Sequence, residues 1–397
     1  MAVGRRRQPA DRRRAQRPPD RRGTRGPGDA VSAAGAPLVL KFGGSSFATP
    51  DAYGELARCL DSRIASSGRR LAVVVSAMPG ETEALRGRLH EVSPHPGGDR
   101  VAGLLTLADT VSAHLLAAAL HRLGRRATVL AGHESGFTTD ETFMWARLER
   151  IAPQPLRRAL REHDVVVVPG GQAADDRGRP TWLGKNSSDL SAVAAAVALG
   201  ADRCEIHSDV AGIHSCDPNR VTGTRLLPAV SYADAAAMSH HGAKVLHHRA
   251  VRLAERHRVE IVCRHNTEPF TRGTVIGPGE AAARAVVLDL GSRVLAYPDR
   301  AAADRAHRAF RADGVAALRL AEGPHVALIG GYTDPEATRL RHGLPPAREA
   351  GVPVTELHAG RATVHIAPDG PDAVRLAQRL HDGLDTAAGQ ALAPAHA

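Results

Sequence analysis

Two stretches decide the fold: Leu38-Val39-Leu40-Lys41-Phe42-Gly43-Gly44-Ser45-Ser46, and Leu71-Ala72-Val73-Val74-Val75-Ser76-Ala77-Met78-Pro79-Gly80-Glu81-Thr82. In each, a short apolar run ends in a turn of glycine and hydroxyl side chains, as a parallel strand buried on both faces does. Val165-Val166-Val167-Val168, ahead of Pro169-Gly170-Gly171, repeats the pattern. Between the runs lie helical stretches, Val101 to Leu123 before Gly124 and Leu190 to Leu199 before Gly200. A glycine just past the last periodic residue is the usual helix stop. Strands alternating with helices predict an α/β sandwich with a mostly parallel sheet, whose ligands gather at the carboxyl ends of the strands.

The turns at those ends carry the chemistry. Adjacent glycines let backbone N–H groups approach an anion, and Lys41 at the strand end supplies a point charge for a phosphate. The order is not that of a Walker A loop, because GxxxxGK[ST] is absent. The turn from Ser76 to Thr82 follows the next strand and adds two hydroxyls.

Composition narrows the rest. Over 397 residues, 43% apolar and 24% charged side chains describe a globular chain long enough for two domains. Aromatics at 3% leave few rings on which nucleic-acid bases could stack. The net charge of +10 is mostly local: ten arginines against three aspartates put +7 of it between Met1 and Ala36. That Arg/Pro/Gly-rich arm has no apolar periodicity and is expected to be disordered, so a nucleic-acid partner is not expected. No run reads as a membrane span. Cys59, Cys204, Cys216 and Cys263 form no CxxC pair, which fits a reducing cytoplasm and no zinc cluster. Among 21 histidines, His240, His241, His247 and His248 cluster near Lys244, without a carboxylate or cysteine at ligand spacing, so no metal site is expected from the protein alone.

Taken in order, the motifs resemble the aspartate kinases of the amino-acid kinase family. KFGGSS and VVVSAMPGET look like that family's opening. Leu183-Gly184-Lys185-Asn186-Ser187-Ser188-Asp189 is similar to its LGRGGSD segment. His207-Ser208-Asp209-Val210-Ala211-Gly212-Ile213 through Asp217-Pro218 resembles WTDVDGVYTADPR. His240 to His247 resembles FGAKVLHP with its flank, and Gly273-Thr274-Val275-Ile276 the closing GTxI. The likeness runs in register from Leu38 to Gly277.

The resemblance implies a carbamate-kinase-like three-layer sandwich that phosphorylates the side-chain carboxylate of L-aspartate to 4-phospho-L-aspartate, with ATP and Mg2+. Lys41, Asp189 and Lys244 would be catalytic. Lys41, Gly43, Gly44, Ser45, Ser208, Asp209 and Lys244 would bind ATP. Ser76, Thr82, Asp109, Lys185, Ser188 and Asp189 would bind the amino-acid substrate. Such chemistry needs little covalent help and much charge stabilisation.

The acceptor side departs from the family. Lys185 stands for the arginine that forks the substrate α-carboxylate, Asn186 and Ser187 for two glycines, and Asp109 for a glutamate one methylene longer. A lysine is a flexible point charge where arginine is a rigid fork. Two alternatives therefore stay open: a kinase for another small amino acid or carboxylate, and a non-catalytic ligand-sensing paralogue.

The expected division is an arm at 1–36, a catalytic domain at 37–280 and an α+β, ACT-like regulatory region at 281–397. From Pro324 the order reads strand, helix from Pro335 to Ala350, strands at Val352 to Leu357 and Ala362 to Ile366, and helix from Asp372 to Leu384. That makes 324–386 the clearer copy, with Ala285 to Leu320 a degenerate first one. ACT modules pair through their sheets, which implies a homodimer. The turn from Tyr332 to Ala337 would be the effector loop.

Overall fold

The computed structural model describes residues 35–390 except 211, 244–245 and 331–333, and side chains as far as residue 384. The Arg-rich arm, but for Gly35 and Ala36, lies outside the described residues, as do Lys244 and part of the turn from Tyr332 to Ala337.

The chain opens with β1 (Leu38–Phe42), α1 (Asp51–Ser67), β2 (Leu71–Val75), α2 (Glu81–Val92) and α3 (Gly98–Arg122). Next come β3 (Ala127–Val129), β4 (Phe137–Thr139), β5 (Leu148–Ile151), α4 (Gln154–Glu162) and β6 (Val165–Pro169). They are followed by β7 (Gln172–Asp175), β8 (Pro180–Trp182), α5 (Ser188–Leu199), β9 (Arg203–Ser208) and β10 (Ala229–Ser231). Then α6 (Tyr232–His240), α7 (His248–His257), β11 (Glu260–His265) and β12 (Arg272–Gly277) close the first sheet.

That sheet has eight strands in the order β10-β12-β11-β9-β1-β2-β6-β3. All its pairs are parallel except β11 with β12. Period-two alternation sorts its valines: Val74, Val166 and Val168 face one core, and Val73, Val75, Val165 and Val167 face the other. α1 and α3 cover the second face, and α4 to α7 the first. α5, rich in alanine and buried nearly all round, packs close against β1, β2 and β9. The three-layer α/β sandwich expected from the sequence is present. A four-stranded sheet, β5-β4-β7-β8, stands beside it.

One expectation needs correction. α3 is, by length and composition, long and apolar enough to cross a membrane, although half of its apolar window is packed inside the fold. Asp109 in its middle, bonded to the backbone after β2, masks this when the sequence is read for unbroken apolar runs.

The C-terminal elements are β13 (Arg284–Leu288), β14 (Arg293–Ala296), α8 (Arg300–Ala312), β15 (Ala317–Arg319) and β16 (His325–Leu328). α9 (Pro335–Arg341), β17 (Arg348–His358), β18 (Arg361–Ala367) and α10 (Gly370–Gln390) complete the chain. Strand order here is β13-β17-β14-β16-β15, with β18 on β17. The series from Pro324 exists, but pairing divides it. β16 lies between β14 and β15, whereas β18 pairs only with β17. The 11-residue β17 serves both groups, its first residues on β14 and its remainder on β13 and β18. A βαββαβ unit running from β14 into β17 is thus inserted between β13 and the elements that complete its layer, the remainder of β17, β18 and α10. The helix expected to reach Ala350 stops at Arg341, because Gly343 (φ 58°) and Pro345-Pro346 end it and β17 begins.

Candidate active site

The carboxyl ends of β1, β2, β6 and β9 meet the N-terminus of α5. Lys41 Nζ lies 2.9 Å from Asp189 Oδ1, and both side chains are about nine-tenths buried. The other oxygen of Asp189 accepts the His247 N–H at 3.1 Å. One carboxylate therefore fixes the lysine near the end of β1 and the loop between α6 and α7. Lys244 belongs to that loop and is outside the described residues.

Two glycines permit the approach of these ends. A Cβ on Gly44 would stand 2.8 Å from Ala77 O, so the turns after β1 and β2 could not nest with a side chain there. A Cβ on Gly170 would overlap Ser188 Cβ and stand 3.0 Å from Val75 O. The gap it leaves brings Ser188 within reach of Ser76, whose hydroxyl donates to Ser188 Oγ at 2.9 Å.

Beside the turn after β2, Asp109 Oδ1 accepts the Ala77 N–H at 2.9 Å. Burial pushes this carboxyl up to about 7, against the opposing pull of the Ala77 N–H and the Lys41 charge. Gln172, a residue that sequence reading passed over, holds the same stretch of α3, donating to Thr106 O at 2.9 Å and Thr110 Oγ1 at 3.2 Å. Lys185 Nζ is 3.4 Å from Glu83 Oε1. Thr82 sits in the first turn of α2, partly exposed. Asn186, where the family has glycine, adopts φ 58°; asparagine is among the few side chains that tolerate this conformation.

At β9, Ser208 Oγ donates to Val210 O at 2.7 Å, and Asp209 is exposed. Gly43 N donates to His207 O at 3.3 Å, joining the glycine turn to this strand end. Asn266, after β11, was also missed: its amide donates to Ser45 Oγ and Ser46 Oγ, each at 3.2 Å. Only its place beside β9 reveals it. Of the residues singled out from sequence, Lys41, Gly43, Gly44, Ser45, Ser76, Asp109, Ser188, Asp189 and Ser208 meet around these strand ends. Lys185 stands at the rim with Glu83.

The histidine group packs ring on ring, His247 on His248 at 5.2 Å and His240 across His241 at 5.8 Å. Burial, reinforced by His240, holds His241 down to about 4. No group of three or more His, Cys, Asp or Glu among the described residues could hold a metal ion. A cavity of about 260 Å³ between α1 and β9, lined by Leu60, Arg63, Glu205 and His207, lies on the α1 face of the sheet. There Glu205 sinks to about 2: burial opposes ionisation, but His207, Arg63 and Arg264 outweigh it.

A model of the amino acid kinase family matches residues 36–265. An aspartokinase of Bacillus sp. (strain MGA3) is 36% identical over 206 residues, 52% of this chain and 50% of that protein. One of Mycolicibacterium smegmatis is 39% identical over 209 residues, 52% of this chain and 49% of that one. The chain spans about half the length of the curated relatives it matches. Among solved structures, Escherichia coli aspartokinase III in complex with aspartate and ADP superimposes with a TM-score of 0.69 at 20% identity, over 88% of this chain and 100% of that one. That likeness is one of fold. Aspartate kinase from Synechocystis gives 0.53 at 29% identity, over 82% of this chain and 60% of that one.

Proposed function

The chain belongs to the amino acid kinase family, and from that premise we propose that it transfers the γ-phosphoryl group of ATP to the side-chain carboxylate of L-aspartate. A carboxylate oxygen attacks the γ-phosphorus, the bond to the bridging β-oxygen breaks, and ADP and 4-phospho-L-aspartate leave. The observation that carries this reading is the buried Lys41–Asp189 pair at the glycine turn, in a chain 36% identical to an aspartokinase over its matching half.

An aspartate carboxylate is already ionised at neutral pH, so the reaction needs no general base. It needs positive charge where the phosphoryl oxygens gather. Lys41 supplies that charge, held in place by Asp189, while backbone N–H groups of Gly44 and Ser45 face the phosphates; the Gly43 N–H, expected to join them, is taken by His207 O. Lys244 would add a second cation from the α6–α7 loop that His247 anchors to Asp189. Ser208 and Asp209 flank the nucleotide. Residues here fit a nucleoside triphosphate by the chemistry of the donor set: a buried lysine charge beside a turn of glycine and hydroxyl side chains at the strand ends. Mg2+ would arrive with the phosphates, held by them and by water, and neutralise charge during transfer.

For the acceptor, Lys185 takes the α-carboxylate and Asp109 the ammonium, with Ser76, Thr82 and Ser188 as hydroxyl partners. A second reading, another small carboxylate as acceptor, is favoured by the Lys185 contact with Glu83, which puts a protein carboxylate where the substrate's would go. The remaining proposals are an arm at 1–36, a catalytic domain at 37–280, an ACT-like region at 281–397 through which two copies pair, and residence in the cytoplasm. The four cysteines are unbridged, as a reducing compartment keeps them. An ATP-dependent hydroxamate assay over a panel of amino acids tests the main reading. Aspartate as the preferred acceptor supports it, a different preferred carboxylate supports the second, and no turnover with any acceptor overturns both.

A further inference from the structure

Trp145, on the loop between β4 and β5, has φ 92°, a left-handed conformation that strains a bulky residue. Pairing holds it there: the N–H groups of Trp145 and Ala146 both donate to Trp182 O, at 3.0 and 2.9 Å. The result is an indole gripped from two sides. A Cβ on Gly184 would overlap it, 2.7 Å from Cζ3 and nearer still to Cε3. On the other side, a Cβ on Gly314 would lie 2.8 Å from both Cγ and Cδ1. Neither glycine could carry a side chain without moving the ring.

These glycines belong to different parts of the fold. Gly184 directly precedes Lys185, whereas Gly314 lies in the turn between α8 and β15 of the C-terminal sheet. Arg249 of α7 ties the arrangement together, donating to Ala146 O at 2.9 Å and to Leu183 O, the neighbours of Trp145 and Gly184. Ser187 Oγ closes the next turn on Gly184 O at 2.5 Å. The path of the loop 184–187 is thus set against the indole, and the indole against Gly314.

We propose that Trp145 is a positioning residue for the acceptor. Its indole, seated between Gly184 and Gly314, holds the loop so that Lys185 and Ser188 face the acceptor carboxylate, and the C-terminal sheet is the second jaw of the grip. The inference rests on the proposed function in taking this loop as the acceptor side. It adds a residue that touches neither phosphate nor acceptor, and a C-terminal residue on which acceptor binding depends.

Two substitutions separate the ring from the backbone. Trp145→Asn removes the indole and puts a side chain that tolerates positive φ in its place, so backbone strain falls while the wedge is lost. Gly314→Ala keeps the indole and pushes it, and also holds alanine at φ 78°, a backbone strain that lowers the melting temperature but does not by itself alter the ratio of the two KM values. Because small displacements of a positioning group cost binding steeply, the acceptor KM should rise at least about fivefold in both, with the MgATP KM within about twofold. Hydrogen exchange of the amides at 184–187 should quicken in both variants. A role in folding alone would shift the melting temperature and leave the ratio of the two KM values unchanged, and that result overturns the proposal. So does unaltered exchange at 184–187. If the wild type turns over no carboxylate, the phosphotransfer reading fails by itself, and the exchange measurement still decides the wedge. Should Trp145→Asn not fold, Gly314→Ala carries both readouts.

Discussion

Removing Lys41 should cost stability as well as catalysis, and the two losses are separable. In Lys41→Ala the Asp189 carboxylate stays about nine-tenths buried, with the His247 N–H as its hydrogen-bond donor on the other oxygen. Leaving one member of a buried ion pair uncompensated costs about 3–5 kcal/mol. Adding Asp189→Asn removes the stranded charge and keeps an acceptor for the His247 N–H, so the double variant should lose only about 1–2 kcal/mol. The coupling between the sites should therefore be about 2 kcal/mol or more. Catalysis behaves otherwise, because asparagine cannot replace the missing positive charge. Both variants should lose about 10²- to 10³-fold in kcat, the usual cost of deleting one preorganised charge-stabilising group. Urea unfolding of wild type, both single variants and the double variant gives the stability cycle, and the hydroxamate assay at saturating MgATP gives kcat. A double variant as unstable as Lys41→Ala would show that the pair is not an energetic unit. Turnover of Lys41→Ala within a few fold of wild type would remove the lysine from the mechanism.

Asp109, raised to about 7, should make acceptor binding pH-dependent: below that pH it is protonated and cannot hold an ammonium group, so the aspartate KM should rise as pH falls from 8 to 6, and Asp109→Asn should flatten the profile. The same shift runs against stability. A carboxyl raised in the fold binds more protons folded than unfolded between about 4 and about 7, so its contribution weakens as pH rises through that window, and Asp109→Asn should melt higher than wild type at pH 8. Gly170→Ala forces Ser188 away from the end of β2, and should cost about 1–3 kcal/mol in urea unfolding together with most of the activity. Asn266→Ala frees the hydroxyls of Ser45 and Ser46, and should raise the MgATP KM several-fold with little change for the acceptor, as read in initial-rate kinetics.

What could be read in advance follows from how local each cause is. The valine runs announce themselves because a strand buried on both faces has no polar positions to confuse it, and Gly200 ends α5 as the periodicity requires. Lys41 and Asp189 sit in motifs, so they were legible as candidates, yet nothing linear says that they touch across 147 intervening positions. The helix from Pro335 ends at Arg341 for a local reason, since Gly343 and Pro345-Pro346 are stop signals within the sequence itself, whereas the division of β17 between two sets of partners is a fact of pairing that no local signal carries. Asn266, Gln172 and Arg249 escaped notice for the same reason: each is an ordinary polar residue until folding sets it against a turn it stabilises.

Trp145 shows where such reading stops. A tryptophan in a loop suggests only apolar burial, and no local rule places one at positive φ. The strain is maintained because Trp182 O pairs with two successive N–H groups, and the ring finds room because two distant glycines lack a Cβ. Each of these residues is unremarkable alone, and the constraint exists only among all of them. Places where local preference and global fold disagree tend to be functional. In this chain the disagreement falls one residue from Lys185 on one side and on the C-terminal sheet on the other. Specificity for the acceptor would then depend on how firmly that sheet holds the indole, so a substitution far from the phosphates could change which carboxylate is used while the Lys41–Asp189 pair stays as it is.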